Sequence, residues 1–343
     1  MKQLIVLAVL GILFVNQGAT MEVTEKTEIE ILSLDVISYE DFVNEDSTAM
    51  NVLKRAMYEK GIVGIKGIPG YREKLLKFIE TAREFSALPE EIKEAYSPHR
   101  SIGETMGYER GRERFKRPDG RWVVDDLKVS YYGLVPDQSL NRWPVEMDLK
   151  TPFQELGAIM SEMGEAVMKK IELIGPKTGL SLGDAKVGRM LYYCKGSNNE
   201  NPFWCGAHFD HGMLTALLPA FYFVNGEAVP EPMEAGLFVK TTFEGVFKKV
   251  VADDPEVLLF QVGEFGQLAT NDAIRATEHR VHKPLSDCIE RYTMALFFNV
   301  PMETVLHSSS ELSKDSRYGE IAGGPCTFRR WNDESLKRYL VEN

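Results

Sequence analysis

A chain of 343 residues with 44% hydrophobic and 27% charged residues has the make-up of a soluble folded protein and can bury a large core, as one domain or two. Its 51 acidic residues outnumber the 40 basic ones, for a net charge of -11, which argues against the basic stripe of a nucleic-acid-binding surface. The four cysteines, Cys194, Cys205, Cys288 and Cys326, show no C-x-x-C spacing and are too few for a disulfide scaffold, so they read as free thiols.

Residues 1–20 carry one lysine, an apolar run from Leu4 to Val15 and a small polar stretch ending near Ala19. This is the anatomy of a signal peptide and is too short to span a membrane. Met21 follows at once, so an over-extended start is the alternative. The protein is expected to be exported through residues 1–20, or cytoplasmic if Met21 is the true start. No other apolar run is long enough for a transmembrane helix, so no membrane is expected for the mature chain.

Residues 21–150 read as a mixed α/β region. LSLDVIS (32–38) has the pattern of an opening strand, and AMNVLKRAMYEKG (49–61) that of a helix closed by Gly61. GIVGIKG (61–67) follows as a short strand rich in β-branched residues. The amphipathic stretch 71–85 puts Leu75, Phe78, Ile79 and Ala82 on one face. Residues 98–150 are rich in Gly, Pro and Arg with little periodicity, which predicts long connections. The basic cluster YERGRERFKRPDGR (108–121) within them reads as a solvated loop, with attraction of an anionic substrate as the alternative.

The clearest helix is 151–175, where Phe153, Leu156, Met160, Met163, Val167 and Ile171 recur at three- and four-residue steps before Gly175. Its methionines read as core filling. From about residue 186 eight short strand candidates come in quick succession: VGRMLYYC, MLTALLPA, AGLFVKT, GVFKKVV, EVLLFQVG, FGQLATN, ATEHRVH and RYTMALFF. They predict a sandwich or jelly roll. The terminal WNDESLKRYLVEN reads as a helix capped by Asn332 or Asp333. The fold expected is mainly β with flanking helices, with residues 151–343 forming a helix plus a jelly-roll catalytic region.

The chemistry sits in CGAHFDHGMLTALL. Alternate residues of a strand share a face, so His208 and Asp210 point the same way, and His211 points away. A second histidine comes 71 positions after His208, in ATEHRVHKP, as His279, with His282 three residues further on the opposite face. Two histidines and one carboxylate on one face of a metal, with the remaining positions open, form the arrangement of non-haem iron(II) oxygenases. His279 is the preferred third ligand.

Together with its surroundings this run resembles the isopenicillin N synthase-like group of iron(II)/2-oxoglutarate-dependent dioxygenases. The matching pieces are LYYC (191–194), AHFDHGMLTALL (207–218), AGLFVKT (235–241), VGEFGQLATNDAIRATEHRV (262–281) and RYTMALFF (291–298). The family shows the same order: a tyrosine-bearing strand, H-x-D, G-L-x-V, G-D-x-x-Q…T-N, H-R-V and R-x-S. EKGIVGIKGIP (59–69) is similar to its strand before an H-G-[IV]-P turn. The resemblance implies a distorted double-stranded β-helix, iron(II) on His208, Asp210 and His279, 2-oxoglutarate as co-substrate with dioxygen, and a small-molecule substrate. It further implies that Arg291 and Thr293, in the place of R-x-S, hold the distal carboxylate of 2-oxoglutarate with the help of Tyr193.

Three departures stand out. Leu191 occupies the place of an asparagine that contacts the co-substrate in many relatives. PAFYFVNGEAVPEPME (219–234) lengthens the interval to the distal histidine and reads as a plain loop, a lid or a partner surface. Finally, isopenicillin N synthase and the ethylene-forming oxidase share the arginine without consuming 2-oxoglutarate. An oxidase of that type is therefore one alternative, and a non-catalytic ligand- or partner-binding β-helix protein is another. Neither the substrate nor the oligomeric state is legible.

Overall fold

The computed structural model describes residues 29–340 apart from 117–118, 176, 195, 197–201, 242–243 and 252–253. The leader reading of residues 1–20 lies outside the described residues. All four cysteines are free thiols, and among the described residues no helix is long and apolar enough to cross a membrane.

The strand Ile289–Phe298 organises the architecture. It pairs antiparallel with Lys186–Tyr193 on one side and with Leu214–Leu217 on the other, near the middle of a ten-stranded sheet. The period of two turns Arg291, Thr293, Ala295 and Phe297 to one face and Tyr292, Met294, Leu296 and Phe298 to the other. A second sheet of five strands runs in the order Ile31–Leu32, Phe247–Val250, Gly236–Lys240, Glu278–His282, Phe203–His208. Leu191, Tyr193 and Ala295 of the larger sheet share one cluster with Cys205 and Val281 of the smaller, so the two inner faces meet. The result is the mainly β, distorted double-stranded β-helix with flanking helices that the strand pattern predicts.

The outer face of the larger sheet is closed by helices. Lys150–Ile174 buries Phe153, Leu156, Met160, Met163, Val167 and Ile171, the expected stripe, with Gly175 as its C-cap. Two glycines let this helix lie directly on the sheet. A Cβ on Gly157 would sit 2.7 Å from Val135 Cγ2, and one on Gly164 would sit 2.1 Å from Phe298 Cζ. Replacing a helical glycine by alanine ordinarily gains up to about 1 kcal/mol. Here the fully buried Phe298 ring has nowhere to withdraw, so Gly164→Ala is expected to destabilise the fold by about 1–3 kcal/mol, read as a lower denaturant midpoint at unchanged slope.

Several expectations need correction. Residues 98–150 are not connections throughout, because they also supply the short strands Gly107–Arg110, Arg114–Lys116 and Trp122–Val124 and the longer Lys128–Val135. The last of these lacks an apolar–polar alternation because both of its faces are covered. FGQLATN is not a strand: Glu264–Ala269 is a helix buried on all sides, and a short apolar run looks the same in either state. LSLDVIS splits, since Ile31–Leu32 joins the smaller sheet and Val36–Ser38 the larger, with the chain crossing between them. The terminal helix spans Phe328–Tyr339 and is capped by the Thr327 hydroxyl rather than by Asn332 or Asp333, which buries Phe328 and Trp331.

Candidate active site

The strand Phe203–His208 ends on His208, and the chain turns before entering the opposite sheet at Leu214. Asp210 therefore comes from the turn and not from a continuing strand. It still reaches the face of His208 because its backbone carbonyl accepts from Glu264 N (2.7 Å) and its Oδ2 accepts from Thr215 Oγ1 (2.6 Å). His279 lies directly across from His208 on the neighbouring strand, with ring centroids 4.2 Å apart. Nε2 of each histidine is 3.9 Å from Asp210 Oδ1. One ligand atom from each of the three residues falls within 4.8 Å of the others, which makes this the group among the described residues that could hold a metal ion.

The surrounding hydrogen bonds decide which atoms remain for a metal. His208 Nδ1 lies 2.9 Å from the Gly206 carbonyl, which can only accept, so Nδ1 carries a proton and Nε2 is the ring nitrogen on the side of Asp210. His279 Nδ1 is fixed in the same way by the Thr277 carbonyl at 3.0 Å. Gln261 then meets Nδ1 at 2.6 Å through Nε2 while its Oε1 is left buried without a partner. Turning the amide over gives Nδ1–H a second acceptor in Gln261 Oε1. Thr215 occupies Asp210 Oδ2, leaving Oδ1. Two imidazole nitrogens and one carboxylate oxygen thus converge within 4.8 Å of one another.

The electrostatics agree. Burial, reinforced by the neighbouring His208, pushes His279 down to about 4, so it is neutral as a ligand must be. Burial alone would raise the Asp210 carboxyl, but the His279 and His208 imidazoles and the Thr215 hydroxyl hold it below the usual range. His211 faces the terminal helix, with Nε2 3.0 Å from Asn332 Oδ1. His282 stacks on Phe238, centroids 4.0 Å apart.

Arg291 is buried on the inner face, with Tyr193 directly opposite it on the adjacent strand. Its guanidinium carbon lies 4.8 Å from the Tyr193 ring centroid. Nε donates to Tyr222 Oη at 3.2 Å, and Nη1 is buried without a partner. Thr293 shares this face, but its hydroxyl donates to the Leu218 carbonyl at 2.8 Å, so it is not free to donate to a carboxylate. Leu191 pairs opposite Thr293 and is buried among apolar neighbours.

A cavity of about 400 Å³ opens in front of His208 and Asp210. One wall is apolar, with Phe115, Val187, Phe297 and Met302, joined by Leu336 and Leu340 from the end of the chain. The basic cluster 108–121 is therefore not simply a solvated loop, for Glu109, Glu113, Arg114, Phe115 and Lys116 all line this space. Phe297 faces the cavity, while Phe298 faces the helix. The opposite wall is charged and nearly balanced. Arg100 pairs with Glu109. Lys128 lies 2.6 Å from Glu113 and 2.7 Å from Asp125, and Arg189 lies 2.8 Å from Glu113. Burial opposes ionisation of Glu113, yet Arg189 and Lys128 hold its carboxyl well below the usual range. Cys205 packs in its strand and also lines this cavity, with Sγ 3.3 Å from Lys128 Nζ and 3.8 Å from His208 Nδ1. Arg114 differs from the ion-paired Arg100, Lys128 and Arg189: it lies over Trp122 at 5.0 Å and its Nε is buried without a hydrogen-bond partner among the described residues.

Sequence reasoning missed this charged wall together with Thr215 and Gln261. The signal for the last two was a single polar residue inside an apolar strand, MLTALL and VLLFQV, since a buried polar group must be answered by a partner.

No protein-family model matches the chain. It is similar to jasmonate-induced oxygenase 2 of Arabidopsis thaliana, 23% identical over 266 residues, which are 74% of this chain and 64% of that protein. The chain thus spans just under two thirds of the length of this relative. It is 28% identical over 273 residues to the 2-oxoglutarate-dependent dioxygenase gloF of Glarea lozoyensis, covering 69% of this chain and 78% of that one. A full-length Neurospora crassa protein whose crystal structure was determined in complex with alpha-KG shares the fold with a TM-score of 0.67, at 21% identity over 89% of this chain and 96% of that one.

Proposed function

We propose that this chain, which belongs to the iron(II)/2-oxoglutarate-dependent dioxygenases, couples decarboxylation of 2-oxoglutarate to oxidation, by default hydroxylation, of a small organic substrate. The observation that carries the reading is the convergence of His208, Asp210 and His279, one ligand atom of each within 4.8 Å of the others, with each side chain held by a hydrogen bond at another of its atoms. Two neutral imidazoles and a carboxylate on one side suit iron(II) and leave its other positions open. When bound, iron(II) with 2-oxoglutarate and dioxygen supplies the power to oxidise an unactivated C–H bond.

The remaining tasks fall to the chain. Arg291 takes the distal carboxylate of 2-oxoglutarate: a buried guanidinium with an unpaired N–H is costly unless an anion answers it. Tyr193 serves as the platform under that guanidinium. The cavity wall positions the substrate and limits water around the reacting carbon. Its apolar side favours a hydrocarbon body. Arg114, for which the described residues offer no ion pair, favours a substrate with a carboxylate end.

An anaerobic titration tests the core of this reading. Iron(II)-loaded protein is expected to develop a weak visible charge-transfer band with 2-oxoglutarate and to release succinate once air is admitted. Bound iron with neither band nor succinate would point to an oxidase that draws all its electrons from the substrate. Failure to bind iron, with His208→Ala changing nothing, would point to a non-catalytic binding protein. Succinate release is then screened with apolar carboxylic acids and their methyl esters. Acids are expected to accelerate it and esters not, and equal stimulation by both would remove the role given to Arg114.

A further inference from the structure

The insertion 219–234 is not a plain loop. Phe221–Val224 and Glu227–Val229 form a hairpin through Asn225 and Gly226, both at positive φ, as a tight turn between twisted strands requires. Its first strand continues the larger sheet. Leu214–Leu217 pairs with the strand Ile289–Phe298 only as far as Ala295, and the hairpin takes over at Tyr292, with Tyr222 directly opposite Arg291. Tyr222 is buried, accepts from Arg291 Nε at 3.2 Å and donates to Glu231 Oε1 at 2.7 Å.

Glu231 is anchored in turn. Its Oε1 lies 3.5 Å from Lys249 Nζ, and the same ammonium donates to the carbonyls of Pro232 (2.9 Å) and Ala235. Gly236 leaves room for this contact, because a Cβ there would lie 1.7 Å from Glu231 Oε1 and 2.8 Å from Tyr222 Oη. Lys249, Glu231, Tyr222 and Arg291 therefore form one chain of contacts that ends on the guanidinium and leaves Nη1 open. Tyr193 covers the flat face of the same guanidinium. With Nε taken and one face covered, rotation of the side chain is blocked.

We infer that the 219–234 hairpin is a positioning element for the co-substrate: through Tyr222 and Glu231 it orients Arg291 toward the distal carboxylate of 2-oxoglutarate. This rests on the role given to Arg291 above. Tyr222 and Glu231 act through Arg291 and touch neither metal nor substrate, so their effect falls on binding of keto acids that carry a distal carboxylate, and not on the metal.

The test is calorimetric binding under anaerobic conditions to full-length protein loaded with iron(II), using 2-oxoglutarate and, in parallel, 2-oxobutyrate, which lacks the distal carboxylate. Tyr222→Phe is expected to weaken 2-oxoglutarate about 10-fold, equivalent to about 1.4 kcal/mol, and Glu231→Gln by a smaller factor of about 3. Binding of 2-oxobutyrate and of iron should stay unchanged in both variants. A 2-oxoglutarate affinity within twofold of the parent in Tyr222→Phe overturns the inference. So does an equal loss for the two keto acids, which would mean a general structural role. Arg291→Ala separates the two levels. If it leaves 2-oxoglutarate binding intact, the co-substrate site itself is misassigned. If it weakens binding while Tyr222→Phe does not, only the positioning role falls.

Discussion

Asp210→Ala is expected to abolish stoichiometric iron binding and to lower succinate release by at least about 10³-fold, more than the 10–100-fold that loss of an outer-shell partner of a metal ligand costs. Without the carboxylate two neutral imidazoles remain, and neither offsets the charge of a divalent ion. Thr215→Val provides the graded case. It removes the hydroxyl on Asp210 Oδ2, frees the carboxylate to turn, and should weaken iron by about 10–100-fold. Metal analysis after anaerobic reconstitution and desalting reads both. His211→Ala and His282→Ala should retain iron, because these side chains face Asn332 and Phe238. Thermal unfolding of the metal-free protein guards against trivial failure. The Thr215 hydroxyl and the neighbouring imidazoles hold the Asp210 carboxyl below the usual range, so its removal should cost the metal-free fold about 1–3 kcal/mol without unfolding it. One equivalent of iron retained by Asp210→Ala would sink the assignment of the centre.

How much of this centre was legible in the sequence depends on what kind of signal each residue left. His208 and Asp210 were readable as a pair because H-x-D is local. The reason first given, strand alternation, was nevertheless incomplete, since the strand stops at His208 and the hydrogen bonds of Glu264 and Thr215 bring Asp210 round. His279 came from the family's H-R-V pattern, and its position across from His208 is a matter of inter-strand register, which no single stretch of sequence encodes. The fold class was legible for a coarser reason. A long amphipathic helix and a series of short strands leave few layered arrangements. The cavity wall was not legible. Lys128 and Arg189 look like surface residues in sequence, and their burial is explained by partners that the local pattern does not announce: Glu113 and Asp125 for Lys128, with Cys205 77 positions away, and Glu113 and Ser130 for Arg189, 76 and 59 positions away. The Glu264–Ala269 helix was misread because its burial on all sides erases periodicity.

Arg291→Ala should raise the dissociation constant of 2-oxoglutarate by about 100-fold or more, roughly 3 kcal/mol, while iron affinity stays within about twofold. The size follows from the burial of the group. A charge-assisted hydrogen bond is worth about 1.5–3 kcal/mol, and removal of the guanidinium leaves the distal carboxylate without a cation in a place that water scarcely reaches. Arg291→Lys should lie between, because an ammonium keeps the charge but cannot satisfy Tyr222 and a carboxylate with one planar fork. Thr293→Ala gives the sharper contrast. The R-x-S resemblance assigns this hydroxyl to the carboxylate, yet its proton goes to the Leu218 carbonyl. Its loss should therefore cost about 1–3 kcal/mol of fold stability through an unanswered buried carbonyl and change 2-oxoglutarate affinity by less than about threefold. A Thr293→Ala variant that folds as stably as the parent but binds 2-oxoglutarate as poorly as Arg291→Ala would show that the hydroxyl turns to the co-substrate. The carboxylate would then be shared between both residues. Calorimetry of the two variants beside their denaturant midpoints separates the cases, since one loss appears only on binding and the other only on folding.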